Sequence, residues 1–185
     1  MEDTKDPIHQ GALDGLCGLY AIINACNNID IHLKESERQE LFKLGICYLD
    51  EKKILKKTLL NGMVKTHVMG IIDAINPYFR EKHRKTLMCE RVAYDAKNIT
   101  GVWNILSQSM ELNKAAAIVG LSGMHDHWTC VVNVTDATLQ LCDSDGLKQI
   151  YKRHATCGET NGSLKHVLSP REVFVLRAEP YTKKA

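Results

Sequence analysis

The sequence predicts an α+β chain, with helices in its first half and an antiparallel sheet of four or more strands in its second. Three observations carry that prediction. Leu16, Leu19, Ile23 and Cys26 recur at the spacing of one helix face. In the back half the period changes to two, with Trp128, Cys130, Val132 and Val134 alternating with His127, Thr129, Val131 and Asn133. The composition, 44% apolar and 25% charged, belongs to a globular chain and excludes disordered and collagen-like classes. With 185 residues and no repeat, low-complexity tract or linker, one domain spanning 1–185 is expected.

The first helix is expected over 14–27, with Asp14 as its N-cap. Leu13, Tyr20, Ile22 and Ala25 add apolar surface around its other faces, so it should be buried on most sides. Residues 35–59 repeat Leu41, Leu44, Tyr48, Ile54, Leu55 and Leu59 at helical spacing. Lys52, Lys53, Lys56 and Lys57 read there as a solvated face, because no aromatic side chains are interleaved for nucleic-acid binding. A helix over 63–75 should stop at Asn76-Pro77. Residues 86–94 suit a strand and 100–112 a short helix capped by Thr100.

Residues 115–121 form an apolar run fit for a buried strand. The alternating strand from His127 follows, then a Thr135-Asp136 turn and a strand holding Leu139 and Leu141. Residues 173–176 make the last strand, with Pro170 just ahead of it where a missing amide does no harm. Ser122-Gly123 and 157–163 read as loops.

A net charge of +2, from 24 basic and 22 acidic residues, gives no ground for a nucleic-acid or membrane partner. No apolar run reaches the length of a membrane span. The start, Met1 to Asp6, is polar and acidic, unlike a secretory signal, so a cytoplasmic location is expected. The cysteines are Cys17, Cys26, Cys47, Cys89, Cys130, Cys142 and Cys157. Their odd number and irregular spacing suit reduced thiols rather than a disulfide framework.

One cysteine sits where chemistry is available. Cys17 lies at a helix start, where the dipole favours a thiolate, and Gly15 and Gly18 flank it as though to leave the backbone open to a substrate carbonyl. The Cys17 amide can donate to an oxyanion, and the Gln10 side chain offers a second donor. A thiol of this kind needs a histidine held against it and an acceptor for the other ring nitrogen. His127 opens a strand, and Asp143 and Asp145 close the next one. Asp145 has a turn role in the pair Asp145-Gly146, whereas Asp143 follows the apolar Leu141-Cys142, where a carboxylate needs a partner; Asp143 is therefore preferred and Asp145 is the alternative acid.

The order of these residues, Gln10, then Cys17 on a helix, His127-Trp128 on a strand, and Asp143-Ser144-Asp145-Gly146 one strand later, resembles the papain-like cysteine peptidase superfamily. The nearest flavour is similar to the compact bacterial, bacteriocin-processing peptidases. Gln10 stands seven residues before Cys17, against the five or six usual there. The resemblance implies a helical lobe bearing Cys17 packed on a C-terminal antiparallel sheet bearing His127 and Asp143, with Gln10 in the oxyanion hole. It implies cleavage of peptide or isopeptide bonds in a protein or peptide substrate, ubiquitin-like proteins among the candidates, through an acyl-enzyme and without a cofactor.

Competing readings stay open on the sequence. The same triad serves glutamine deamidation, transglutamination and acyl transfer in that superfamily, and a catalytically silent binding module would keep the fold. His125 is two residues from His127 and could pair with it on a metal, though no third ligand is obvious. His154, Cys157, Cys142 and His166 offer ligand types without zinc-site spacing. Ser122 and Ser144 lack the elbow of a serine hydrolase.

Overall fold

The computed structural model describes residues 6–11, 14–29, 31–111, 114–160 and 163–182. Leu13, Leu112 and two positions of the 157–163 loop, each named in the sequence reading, lie outside them. Five helices come in the order α1 (Cys17–Asn28), α2 (Glu35–Glu51), α3 (Leu55–Asn61), α4 (Lys65–Lys82) and α5 (Ile99–Glu111). The strands are β1 (Lys85–Arg91), β2 (Ala116–Gly123), β3 (His127–Val134), β4 (Thr138–Cys142), β5 (Gln149–Tyr151), β6 (Ala155–Thr156) and β7 (His166–Pro180). Among the described residues they form one sheet in the order β1-β7-β2-β3-β4-β5, antiparallel throughout except for β6, which pairs parallel with β7. The chain is therefore α+β, and among the described residues no helix is long and apolar enough to cross a membrane.

Both faces of the sheet are covered, which explains the unbroken apolar run in β2. Ala116, Ile118, Trp128, Cys130, Phe174 and Leu176 pack with α1, α2 and α4 on one face. Ala117, Val119, Val131, Val173 and Val175 pack on the other against Val102, Trp103 and Leu106 of α5. α1 lies in the middle of the first layer, and Leu19, Ile22, Ala25 and Cys26 are wholly buried there. Its N-terminal end is thereby fixed over the sheet edge where β3 begins.

Ser122-Gly123, expected as a loop, instead closes β2 and pairs with Val167 and His166. Four further local expectations are corrected. α4 does not stop at Asn76-Pro77 but runs through it to Lys82. Buried Asn76 grips β1 at both ends of its amide, donating to the Leu87 carbonyl at 2.9 Å and accepting from the Leu87 amide at 2.8 Å. That tertiary lock and the burial of Phe79 outweigh the one helical bond a proline removes. α5 starts one residue before Thr100, and Asn98 takes the capping role by accepting from the Gly101 amide at 2.9 Å.

β7 does not begin after Pro170 but runs through it. Its pairing with β2 jumps from Val119↔Val173 to Leu121↔Leu168, so Ser169, Pro170, Arg171 and Glu172 bulge opposite Gly120 and the proline needs no ladder bond. A side chain at Gly120 would meet the Glu172 carboxylate at 2.7 Å, so the bulge requires glycine there. The fourth correction is the start of α1, which lies at Cys17 rather than Asp14.

Candidate active site

Asp14 still serves that helix, one step removed. Its Oδ1 accepts from the Leu16 amide at 3.0 Å, closing a side-chain turn that leads the backbone into α1. The Gly15 amide is occupied elsewhere, donating to the Leu59 carbonyl of α3 at 3.0 Å. Cys17 thus becomes the first residue with helical geometry. Cys17 and Gly18 open the helix, where amides have no acceptor within it.

The glycines beside Cys17 do not open a path for substrate, as the sequence suggested. They admit α3 and the chain that follows it. A Cβ on Gly15 would sit 2.6 Å from the Thr58 carbonyl oxygen and 2.8 Å from the Gly62 amide nitrogen. One on Gly18 would press on the Met63 side chain at 3.0 Å. Gly15→Ala is accordingly expected to destabilise the fold by about 1–3 kcal/mol, since its new contacts are backbone and cannot rotate away. Thermal denaturation checks this, and an unchanged Tm would show that α3 yields freely.

Met63 is a part of the site that sequence reasoning missed. Its carbonyl accepts from the Trp128 indole N–H at 2.8 Å, and its sulfur lies 3.2 Å from the Leu19 amide. It therefore ties the helix bearing Cys17 to the strand bearing His127. The available signal was Trp128 itself, because a buried indole N–H must find an acceptor; nothing in the sequence says which.

Among the expected site residues, the structure brings Cys17, His127 and Asp143 together. His127 Nε2 lies 2.7 Å from Asp143 Oδ2, and the Cys17 thiol is close enough to the imidazole to raise its pKa. With Nε2 committed to the carboxylate, Nδ1 is the nitrogen left for sulfur. Burial works against a charge on His127, but the hydrogen bonds to Asp143 and Cys17 and their negative charge prevail, pushing its pKa up to about 10. Burial likewise works against the Asp143 carboxylate, yet the bond from His127, the Thr129 hydroxyl beside it and the Leu147 amide hold its pKa below the ordinary value.

The carboxylate is fixed at both oxygens. Oδ1 accepts from the Asp145 amide at 2.9 Å and the Leu147 amide at 3.0 Å, while Oδ2 faces the imidazole. Gly146, at φ +87, lets the chain close this turn. Asp145 contributes its backbone and leaves its own side chain exposed. A cavity of about 380 Å³, lined by Asp6, Pro7, His9, Gly146, Leu147 and Lys148, opens next to Asp143.

Gln10 is placed on the same turn. Its amide donates to the Ser144 carbonyl at 2.9 Å, its Oε1 lies 3.5 Å from the Ser144 hydroxyl, and its Nε2 donates to the Asp14 carbonyl. One Nε2 proton is left for any further acceptor. Two residues earlier, Ile8 exchanges hydrogen bonds with the buried Asn24 side chain, at 2.8 and 3.3 Å, so the segment carrying Gln10 is tied to α1 as well.

His125 does not turn to the Cys17 site; its ring stacks on His166 at 5.2 Å with 3° between the planes. Cys142 lies in the core opposite Cys130, and His154 bonds the Ser163 carbonyl at 3.1 Å. Among the described residues no three His, Cys, Asp or Glu side chains are placed to share a metal. No protein-family model matches the chain, and neither characterised proteins nor solved structures give a match.

Proposed function

We propose that the chain is a papain-like cysteine peptidase, a thiol hydrolase that cleaves peptide or isopeptide bonds with Cys17, His127 and Asp143. The observation that carries this reading is the imidazole of His127, bonded to a buried carboxylate at 2.7 Å and close enough to a thiol at a helix N-terminus for that thiol to raise its pKa. Below about pH 10 His127 holds its proton, so the imidazolium gives its Nε2–H to Asp143 and turns its Nδ1–H to the sulfur, which reacts as the thiolate of an ion pair. The thiolate attacks the substrate carbonyl carbon, forming a C–S bond and an oxyanion. The Cys17 amide faces that oxygen as the first donor. When the intermediate collapses, the C–N bond breaks and His127 returns its proton to the leaving amine. A water molecule, deprotonated by His127, then hydrolyses the thioester and releases Cys17.

The layout of a helical lobe bearing the thiol against an antiparallel sheet bearing histidine and acid supports the papain-like assignment. The test is a panel of electrophilic peptide and ubiquitin-like probes, with mass spectrometry of the labelled residue. The adduct is expected on Cys17, with turnover that requires a reductant and survives a chelator. Activity lost to the chelator and restored by zinc would overturn the thiol mechanism.

Gln10 is the second oxyanion donor in this reading, through the Nε2 proton that Asp14 does not take. Gln10→Ala is then expected to lower kcat by about 10²–10³ with little change in KM. Full turnover in that variant would remove Gln10 from the oxyanion hole and leave it the task of holding the Ser144 turn.

A further inference from the structure

The last turn of α3 and the connection that leads from it into α4 are tied down at several points. Leu59 accepts from Gly15 at 3.0 Å, Met63 accepts from Trp128 at 2.8 Å, and Thr58 is wholly buried. Gly15 stands two residues before Cys17 and Trp128 one residue after His127. Yet the same segment turns large apolar side chains to solvent: Leu60 is 73% exposed and Val64 53%. Both lie within three residues of Met63, whose side chain packs on Gly18, the neighbour of Cys17.

The segment itself is one-signed. Residues 52–72 hold five lysines, Lys52, Lys53, Lys56, Lys57 and Lys65, and no aspartate or glutamate. Lys56 and Lys57 are exposed on α3, the helix that ends at this rim. The segment holds no Phe, Tyr or Trp on which a base could stack, so its apolar groups suit aliphatic side chains better than a nucleic acid.

We infer that this rim is the substrate-docking surface of the Cys17 site, and that it takes a polypeptide segment in which aliphatic residues are bordered by carboxylates. The inference rests on the reading of Cys17 as a nucleophile for a polypeptide carbonyl. The aliphatic side chains cover Leu60 and Val64, and the acids meet Lys56 and Lys57. The tethers to Gly15 and Trp128 set the distance between the docked residues and the thiol, so docking there positions the carbonyl.

The experiment reads binding on the full chain carrying Cys17→Ala, so that it does not depend on catalysis. Three fluorescein-labelled peptides are titrated by anisotropy: Glu-Asp-Leu-Val-Leu, Lys-Lys-Leu-Val-Leu and Glu-Asp-Ser-Ser-Ser. The first is expected to bind about tenfold more tightly than either of the others. Leu60→Asp, a change at an exposed position, should erase the aliphatic advantage. Lys56→Glu with Lys57→Glu should invert the charge preference so that the Lys-Lys peptide binds best, a gain that misfolding cannot mimic. Equal binding of the three peptides, an unchanged ranking in both variants, or displacement of the peptide by a lower concentration of a single-stranded oligonucleotide would each overturn the inference. Absent peptide turnover in the unsubstituted chain, with this ranking intact, would count against the triad reading alone.

Discussion

Cys17→Ala is expected to remove turnover by a factor on the order of 10⁶ while leaving the fold in place. The size of the effect follows from the sulfur's position in the chain of events. It makes the covalent bond, and without it His127 and Asp143 have nothing to activate, so the three do not contribute as independent increments. The fold should survive because the change removes one atom from a site 6% exposed at the first turn of α1, whose anchorage comes from Leu19, Ile22 and Ile23.

A companion measurement uses the unsubstituted chain. Brief alkylation with iodoacetamide at about pH 6 should label Cys17 well ahead of the other cysteines. Cys26 and Cys130 are wholly buried, and burial pushes both thiols far above their ordinary range. Burial also pushes Cys142 up to about 11 and Cys89 up to about 12. Cys47 is exposed and therefore the fair internal standard. Labelling of Cys47 ahead of Cys17 in peptide maps would count directly against an imidazole-activated thiol.

The sequence made the site's residue types legible because the chemistry restricts them. A thiol at a helix start, a histidine opening a strand and a carboxylate at the end of an apolar run are each marked by local pattern. The order of helices and strands was readable for the same reason, since periods of 3.6 and 2 are local properties. What was hidden depends on partners far along the chain. Pro77 looked like a stop because the sequence does not show Asn76 gripping Leu87. Gly15 and Gly18 looked like an opening for substrate because α3 and Met63 arrive from more than forty residues away. β5 and β6, at 3 and 2 residues, are too short to show any period.

The register of the β3–β4 hairpin shows how the acid reaches the imidazole. Cys130 pairs with Cys142 and Val131 with Leu141, and an irregularity follows before Asn133↔Gln140. Continued past the strand end, that ladder sets Thr129, and not His127, opposite Asp143. Direct cross-strand pairing is therefore not what joins the acid to the imidazole. β4 ends at Cys142, and Asp143 begins a turn whose amides at Asp145 and Leu147 aim its carboxylate diagonally at His127.

Asp143→Ala is expected to lower turnover by about 10²–10⁴, and Asp145→Ala to leave it nearly unchanged. Among the described residues Asp143 supplies the carboxylate that meets the imidazole, at 2.7 Å, whereas Asp145 supplies an amide that alanine retains. Asp143→Asn sharpens the test, because it keeps the shape and removes the charge. The folded His127 has a pKa near 10, raised above its ordinary value, so its proton is present below that pH and lost above it. The alkaline limb of kcat/KM, set by the imidazolium that protonates the leaving amine, should lie near pH 10 in the unsubstituted chain and move to lower pH in Asp143→Asn. The same sign governs stability. The His127–Asp143 pair stabilises the fold fully below the unfolded histidine value of about 6.5 and loses that contribution as pH rises towards 10. Asp143→Asn should thus narrow the stability difference between pH 6 and pH 10, a shift that Asp145→Asn should not produce. An alkaline limb that stays in place in Asp143→Asn, or greater damage from Asp145→Ala in a folded protein, would show that the turn delivers the other acid to the imidazole.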